Sequence, residues 1–359
     1  MNNLNKYLKK IKNNNEYNNE YNNNKDNYNL LYYASKHNKI NIIKLLIKNG
    51  ININYKNKLG ETALMISCIF GNIEIVKLLI KNGANINIKD DDGTNVLMIS
   101  SINNHINIVK ILLKNNVKIN NVDNYGSSSL YYACLHKNFN IVKLLIKNGA
   151  NINVISNYGE SPLYVSSLVG SFKIVKYLIN NGAIVNIKDG INPIINSTHR
   201  ENNLKIVKLL VKNGANINAL DKDGNTPLYN ACENNCIDII KYLLKKGAHI
   251  NIKKNNKDFP LFIASQLGYL DVVKLLLYQG ADVNLKGFEG WTSLHIAIQN
   301  GYYKIVKVLL AYNANINSKN NNGNFPIDIA KKYNHNNIVK LLHRPKRKMI
   351  NKNGLKKII

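Results

Sequence analysis

Cys232 and Cys236 are the two thiols nearest each other in this chain, spaced i,i+4. On one helix such a pair could fill two positions of a tetrahedral metal site, which needs two further ligands. No residue is spaced to supply them, so no metal and no other cofactor is expected. The eight histidines are scattered without ligand spacing. No phosphate-binding loop, dinucleotide fingerprint, zinc-protease helix or nucleophile elbow occurs. The acidic residues form no recurrent pair, and no catalytic activity is expected. Lysine is the reactive side chain with regular spacing. Lys44, Lys77, Lys110, Lys143, Lys176, Lys208, Lys241, Lys274, Lys307 and Lys340 follow one another at 33 residues, with one step of 32. Lys48, Lys81, Lys114, Lys147, Lys212 and Lys245 lie four residues further on. A column of ammonium groups attracts polyanions, either nucleic acid or an anionic membrane.

The same period organises the elements that carry these lysines. A turn position falls at Gly50, Gly83, Asn116, Gly149, Gly182, Gly214, Gly247, Gly280 and Asn313. Fourteen residues after most turns stands an apolar marker: Leu64, Leu97, Leu130, Leu163, Leu228, Leu261, Leu294 and Ile327, with Leu31 in the first unit. Ile195 fits best in the sixth. A fixed period of this size predicts a solenoid of stacked units, ten of them here. In the unit from Asn216, the cluster Asp221-Lys222-Asp223-Gly224 is a turn. Thr226 can cap a helix whose first position suits Pro227. Asn235 tolerates the left-handed stop that ends it. Ile237 to Lys246 then reads as a second helix, apolar at Ile239, Ile240 and Leu243. Neither helix can bury its apolar side alone, so stacking on neighbours must do it.

These residues resemble the ankyrin repeat. Its T-P-L-H-x-A motif stands here as Thr292-Ser293-Leu294-His295-Ile296-Ala297, and as Thr226-Pro227-Leu228-Tyr229-Asn230-Ala231. Its second-helix motif reads Val272-Val273-Lys274-Leu275-Leu276-Leu277-Tyr278-Gln279-Gly280-Ala281-Asp282-Val283-Asn284. The resemblance covers residues 24–343, with an irregular repeat near 183–214. It implies an all-α ankyrin-repeat solenoid of helix-turn-helix units with β-hairpin fingers, whose fingers and first helices line a concave, protein-binding surface. The chain would then be a protein-protein interaction scaffold or adaptor, a monomer with an unidentified protein partner. Apolar residues at those positions mark the expected binding surface: Tyr125, Leu135, Tyr158, Leu168 and Val169 in adjacent units, and Phe288 and Trp291 in one finger near the far end; packing of these rings on the next finger is the other reading. His295 is expected to make local hydrogen bonds. The Asn column, Asn54 through Asn120 to Asn317, is expected to be structural, bonding nearby backbone and stabilising the hairpin turn.

The formal net charge of +28 has two readings. The ladder is either a solvated face written in Lys by an AT-rich genome, or a convex face that binds nucleic acid or an anionic membrane. Arg, the better phosphate fork, stands only at Arg200, Arg344 and Arg347. No aromatic residues alternate with the ladder to stack on bases. Nucleic-acid binding would therefore be weak and salt-sensitive. Residues 1–23 form an Asn/Lys-rich segment without a signal-peptide core. Residues 344–359 form a basic tail in which Arg344, Lys346, Arg347 and Lys348 resemble a nuclear-import signal, a solubilising tail being the other reading. No segment reaches the ~18 to 20 apolar residues that span a membrane. Four cysteines are too few for a disulfide scaffold. Cys68, Cys134 and Cys232 share one first-helix position and read as small core residues. An intracellular location, cytoplasm or nucleus, follows. Under the import reading, deleting residues 344–359 from a fluorescent fusion should lower its nuclear share; an unchanged distribution removes that reading.

Overall fold

The computed structural model describes residues 25–187, 191–253 and 258–343. The N-terminal segment 1–23 and the basic tail with Arg344, Lys346, Arg347 and Lys348 lie outside the described residues. The chain divides into two compact units, residues 1–162 and 163–359. The first holds four helical hairpins: Lys25–Lys36 with Ile40–Lys48, Ala63–Ile69 with Ile73–Lys81, Val96–Ile102 with Ile106–Lys114, and Ser129–Leu135 with Phe139–Lys147. In the second, Pro162–Leu168 opens at the division and pairs with Phe172–Asn180. It is followed by Pro193–Ser197 with Leu204–Lys212, Pro227–Glu233 with Ile237–Lys245, and Pro260–Gln266 with Leu270–Tyr278. Ser293–Gln299 with Tyr303–Ala311 and Pro326–Lys332 with Asn336–Leu342 complete it.

Local chemistry fixes these bounds. The side chains of Thr62, Asn95, Ser128, Thr226 and Thr292 each accept a hydrogen bond from a backbone N–H in the first turn of the helix that follows. First helices end at a left-handed residue, Asn38, Gly71, Asn104, Lys137, Gly170, Asn235, Gly268, Gly301 or Asn334. Gly71 is held to glycine twice over, because a Cβ there would stand 2.7 Å from the His105 ring. The markers Leu64, Leu97, Leu130, Leu163, Leu228, Leu261 and Leu294 are buried, as are Ile75, Val76 and Leu79 and, apart from the half-buried Val339, their equivalents on the other second helices. Each such side chain contributes about 1.5–3 kcal/mol by leaving water. Ile327, in the last described repeat, is only half-buried.

Cys68, Cys134 and Cys232 are buried at their shared position, and burial pushes the Cys68 thiol up to about 12. The i,i+4 reading of Cys232 and Cys236 on one helix is corrected. Cys232 lies in the first helix and Cys236 caps the second, with Asn235 turning the chain between them.

The fingers are hairpin turns, not β ladders. Isolated bridges join Lys89 with Asn95 and Val122 with Ser128, and Asp258 stands at a further bridge position. Each tip is tied by its leading residue instead: Asp90 Oδ1 accepts from the N–H groups of Asp92 and Thr94, and Asn320 Oδ1 from those of Asn322 and Asn324. Adjacent fingers are joined laterally, Asp91 N–H to Leu59 O at 3.3 Å and Asn124 N–H to Asp92 O at 3.0 Å.

The Asn column also differs from expectation: its bonds go to the next repeat. Asn120 Oδ1 accepts from Asn151 N–H at 2.7 Å, and its Nδ2 donates to Gly149 O at 3.2 Å. Asn54 and Asn284 make the same pair of bonds, and Asn87, Asn218 and Asn251 accept the equivalent N–H. The local turn is closed by the residue two places earlier, as when Asn151 Oδ1 accepts from Asn153 N–H.

The irregular repeat resolves into two compensating changes. Pro193 opens its first helix, so Ile194 takes the marker register and Ile195 the next; both are buried. Gly182 to Ile194 is 12 residues where Gly214 to Leu228 is 14, so the finger is two residues short. One residue returns between the helices, where Glu201–Asn203 forms a 3-10 turn. Asn203 then donates to Ser167 O, as Asn138 does to Ser101 O.

Asn120→Ala should lower stability by about 1 kcal/mol per bond lost, read from the urea midpoint. Asn120→Asp, which keeps the acceptor and loses the donor, should cost less.

Candidate protein-binding surface

Asp123 organises the third described finger. Its Oδ1 accepts from the N–H groups of Tyr125 and Ser127, both at 2.9 Å, and its Oδ2 accepts from the Tyr132 hydroxyl at 2.5 Å. In the next finger Ser156 Oγ accepts from Tyr158 and Glu160 N–H at 3.3 Å, and Glu160 Oε2 accepts from the Tyr131 hydroxyl at 2.5 Å. Asn157 N–H donates to Tyr125 O at 2.9 Å, joining the two tips. So held, the rings of Tyr125 and Tyr158 stack with centroids 6.3 Å apart and planes 19° off parallel. They stay 46% and 59% exposed. Leu59 and Asp92 occupy the same tip position in the two preceding fingers. Leu135, at the end of its first helix, is half-buried.

Leu168 and Val169 lie in the second unit, both half-buried. Phe288 and Trp291 part company. Phe288 begins a 3-10 turn, Phe288–Gly290, and is 50% exposed. Trp291 packs on the core, its ring 5.8 Å from that of His295. His295 itself is buried and bonded locally, Nδ1 lying 2.9 Å from Thr292 Oγ1. Burial lowers its pKa, so it is neutral at pH 7.

Sequence reasoning missed Tyr131 and Tyr132, the struts under the exposed pair. Their rings meet edge-on at 5.6 Å. Their signal was two tyrosines on a first helix facing carboxylates in two successive fingers. The statement that no aromatic residue alternates with the lysine ladder is also corrected. Lys143 Nζ lies 4.9 Å from the Phe139 ring centroid, Lys208 Nζ 5.7 Å from that of Tyr242, and Lys307 Nζ 5.9 Å from that of Tyr303. A ladder lysine covers a ring four residues before it on its own second helix, or one on the next second helix.

A family model described as ankyrin repeats (3 copies) matches residues 1–90, 97–189, 195–287 and 261–353. The chain belongs to the ankyrin-repeat family. A second model, ankyrin repeats (many copies), matches residues 68–113. Ankyrin repeats generally mediate protein-protein interaction, and their fold is typically a non-catalytic interaction module. The crystal structure of the human ASB11 ankyrin repeat domain is similar to this chain, with a TM-score of 0.57 and 27% identity; the match covers 61% of this chain and 98% of that one. Comparison with curated proteins finds no match. Among the described residues no helix of these ankyrin repeats is long and apolar enough to cross a membrane.

The Tyr132 hydroxyl is raised above its ordinary value of 10.0, first by burial and then by the Asp123 carboxylate it bonds. Folding therefore favours the protonated phenol. That stability is whole below the unfolded pKa and is lost as pH rises past it. Thermal midpoints should fall above about pH 10, and Tyr132→Phe should show a shallower fall than wild type; parallel curves would count against the Tyr132 contribution.

Proposed function

We propose that this chain is a non-catalytic scaffold or adaptor that captures a partner protein on the concave surface of its fingers and first helices. The observation that carries the reading is the exposed, stacked pair Tyr125 and Tyr158, held on adjacent finger tips by Asp123, Ser156 and the Tyr131 and Tyr132 hydroxyls. Large rings contribute most to affinity when a partner desolvates them. Rings fixed in advance lose little conformational entropy on binding. Leu135 extends this surface within its own unit; in residues 163–359, Leu168 and Val169 and, separately, Phe288 offer further contacts. Trp291 fits better as a support for the His295 finger than as a contact.

A second reading is supported by the lysine ladder. Of its ten lysines all but Lys274 are exposed. Among the described residues the ion pairs are Lys77 with Glu74, Lys241 with Asp238 and Lys274 with Asp271, which leaves most of the column without a paired carboxylate. Such a surface binds nucleic acid or an anionic membrane by charge. A basic tail acting as an import signal through Arg344, Lys346, Arg347 and Lys348 would place the scaffold in the nucleus.

Tyr125→Ser with Tyr158→Ser should leave the melting curve unchanged and weaken partner capture at least tenfold in a quantitative pull-down. Capture that survives both changes, with the fold intact, would move the binding site elsewhere.

A further inference from the structure

We propose that the second-helix face of residues 163–359 binds single-stranded nucleic acid, its lysines holding phosphates while its tyrosine rings stack on bases. The proposal rests on the polyanion reading of the ladder and narrows it to one class of ligand.

The rings carry the argument. Tyr242 follows the ladder residue Lys241 directly, and Lys208 of the preceding second helix reaches it, with Nζ 5.7 Å from the ring centroid. The next repeat sets Tyr278, 59% exposed, where other units place the second lysine of the column. Tyr312 ends the second helix after that. Rings thus stand beside ladder lysines in three successive repeats, with Tyr278 exposed and Tyr242 and Tyr312 half-buried along one edge, while Leu204–Lys212 contributes lysines alone. On these four helices the only acidic residues are Asp238 and Asp271, each already paired with the lysine three places on.

This combination separates the polyanions. A duplex hides its base faces, so rings add nothing to binding it; a single strand exposes them, and each stacked base adds affinity with little regard to sequence. Insertion into a membrane needs an apolar stripe facing outward. Here the aliphatic residues Ile239, Ile240, Leu243, Val272, Val273 and Leu276 are buried against the core. The four helices contain no Arg to read base edges through paired hydrogen bonds, so recognition is blind to sequence.

Fluorescence anisotropy on the full chain tests this with a labelled oligouridylate, a matched DNA duplex, and vesicles of phosphatidylcholine containing phosphatidylserine, each at low and raised salt. The oligouridylate should bind more tightly than the duplex at low salt. Tyr242→Ala with Tyr278→Ala should weaken the single strand at least about tenfold and leave the duplex unchanged. Lys208→Glu with Lys241→Glu should weaken both and flatten the salt dependence. Should the Tyr242 change unfold the protein, Tyr278→Ser alone, at an exposed position, should still weaken the single strand. Equal binding of strand and duplex, indifferent to both tyrosines, overturns the stacking proposal and leaves the polyanion reading standing. Vesicle binding without strand binding overturns it in favour of a membrane. Failure to bind strand, duplex or vesicle removes the polyanion reading as well.

Discussion

An amide side chain bonded to the backbone of the following repeat is the constraint from which the rest of each stack takes its register. The Asn120 carbonyl accepts the Asn151 N–H and its amide donates to Gly149 O, at the point where the chain leaves a second helix and enters a finger. Those backbone groups sit at a helix end and have no intrahelical partner. Apolar stacking alone tolerates small slides, since aliphatic side chains have no directional preference. Two hydrogen bonds from a short, stiff side chain do not. Repetition of the rung from Asn54 to Asn87 to Asn120, and from Asn186 to Asn218 to Asn251 to Asn284, turns sliding layers into a stack with one register per unit.

Register at that level decides what the finger tips can do. Tyr125 and Tyr158 lie one period apart, and their rings meet because the tips are joined through Asn157 N–H to Tyr125 O. A slip by one residue would put Gly126 or Asn124 opposite Tyr158. The carboxylates of Asp123 and Glu160 then take a double part: each shapes or supports its finger and receives a phenol from the helix Ser129–Leu135. That helix is capped by Ser128, whose hydroxyl accepts from Tyr131 N–H. The exposed pair is thus fixed from below by the helix start and from the side by the neighbouring finger.

The period made most of the fold legible, because a solenoid writes each element ten times and one degenerate copy is corrected by the others. Helix ends, left-handed stops and the buried cysteine position all followed from that redundancy. What was not legible depended on contacts between copies. The Asn column was read as local because Asn bonds its own turn so often. Asn151 does that here. The irregular repeat misled for a related reason: Ile194 and Ile195 are both apolar and both buried, so composition could not say which held the marker register, and Pro193 decided it. At the surface, the tips Tyr125 and Tyr158 were visible as apolar residues without a core role. Trp291 had the same appearance and turned inward onto His295, a difference set by the 3-10 turn before it.

The two sides of each repeat also carry different chemistry for a physical reason. Second helices place Lys at i and i+4, an arrangement that opposes helix formation by about 0.2–0.5 kcal/mol per pair. Burial of Ile239, Ile240 and Leu243 outweighs it, and so does the equivalent burial elsewhere. Part of the repulsion is relieved locally, by Glu74, Asp238 and Asp271 three residues before a ladder lysine, and by rings such as Phe139 and Tyr242 beneath an ammonium. The carboxylates of the fingers take no part in this relief. Asp90 and Asp123 are committed to backbone N–H groups of their own turns, Glu160 to a phenol. Charge on the second helices is therefore left for something outside the chain to neutralise, whereas the fingers are internally satisfied and present rings. A protein partner at the tips and a polyanion on the second helices would compete for no side chain, so one chain could hold both.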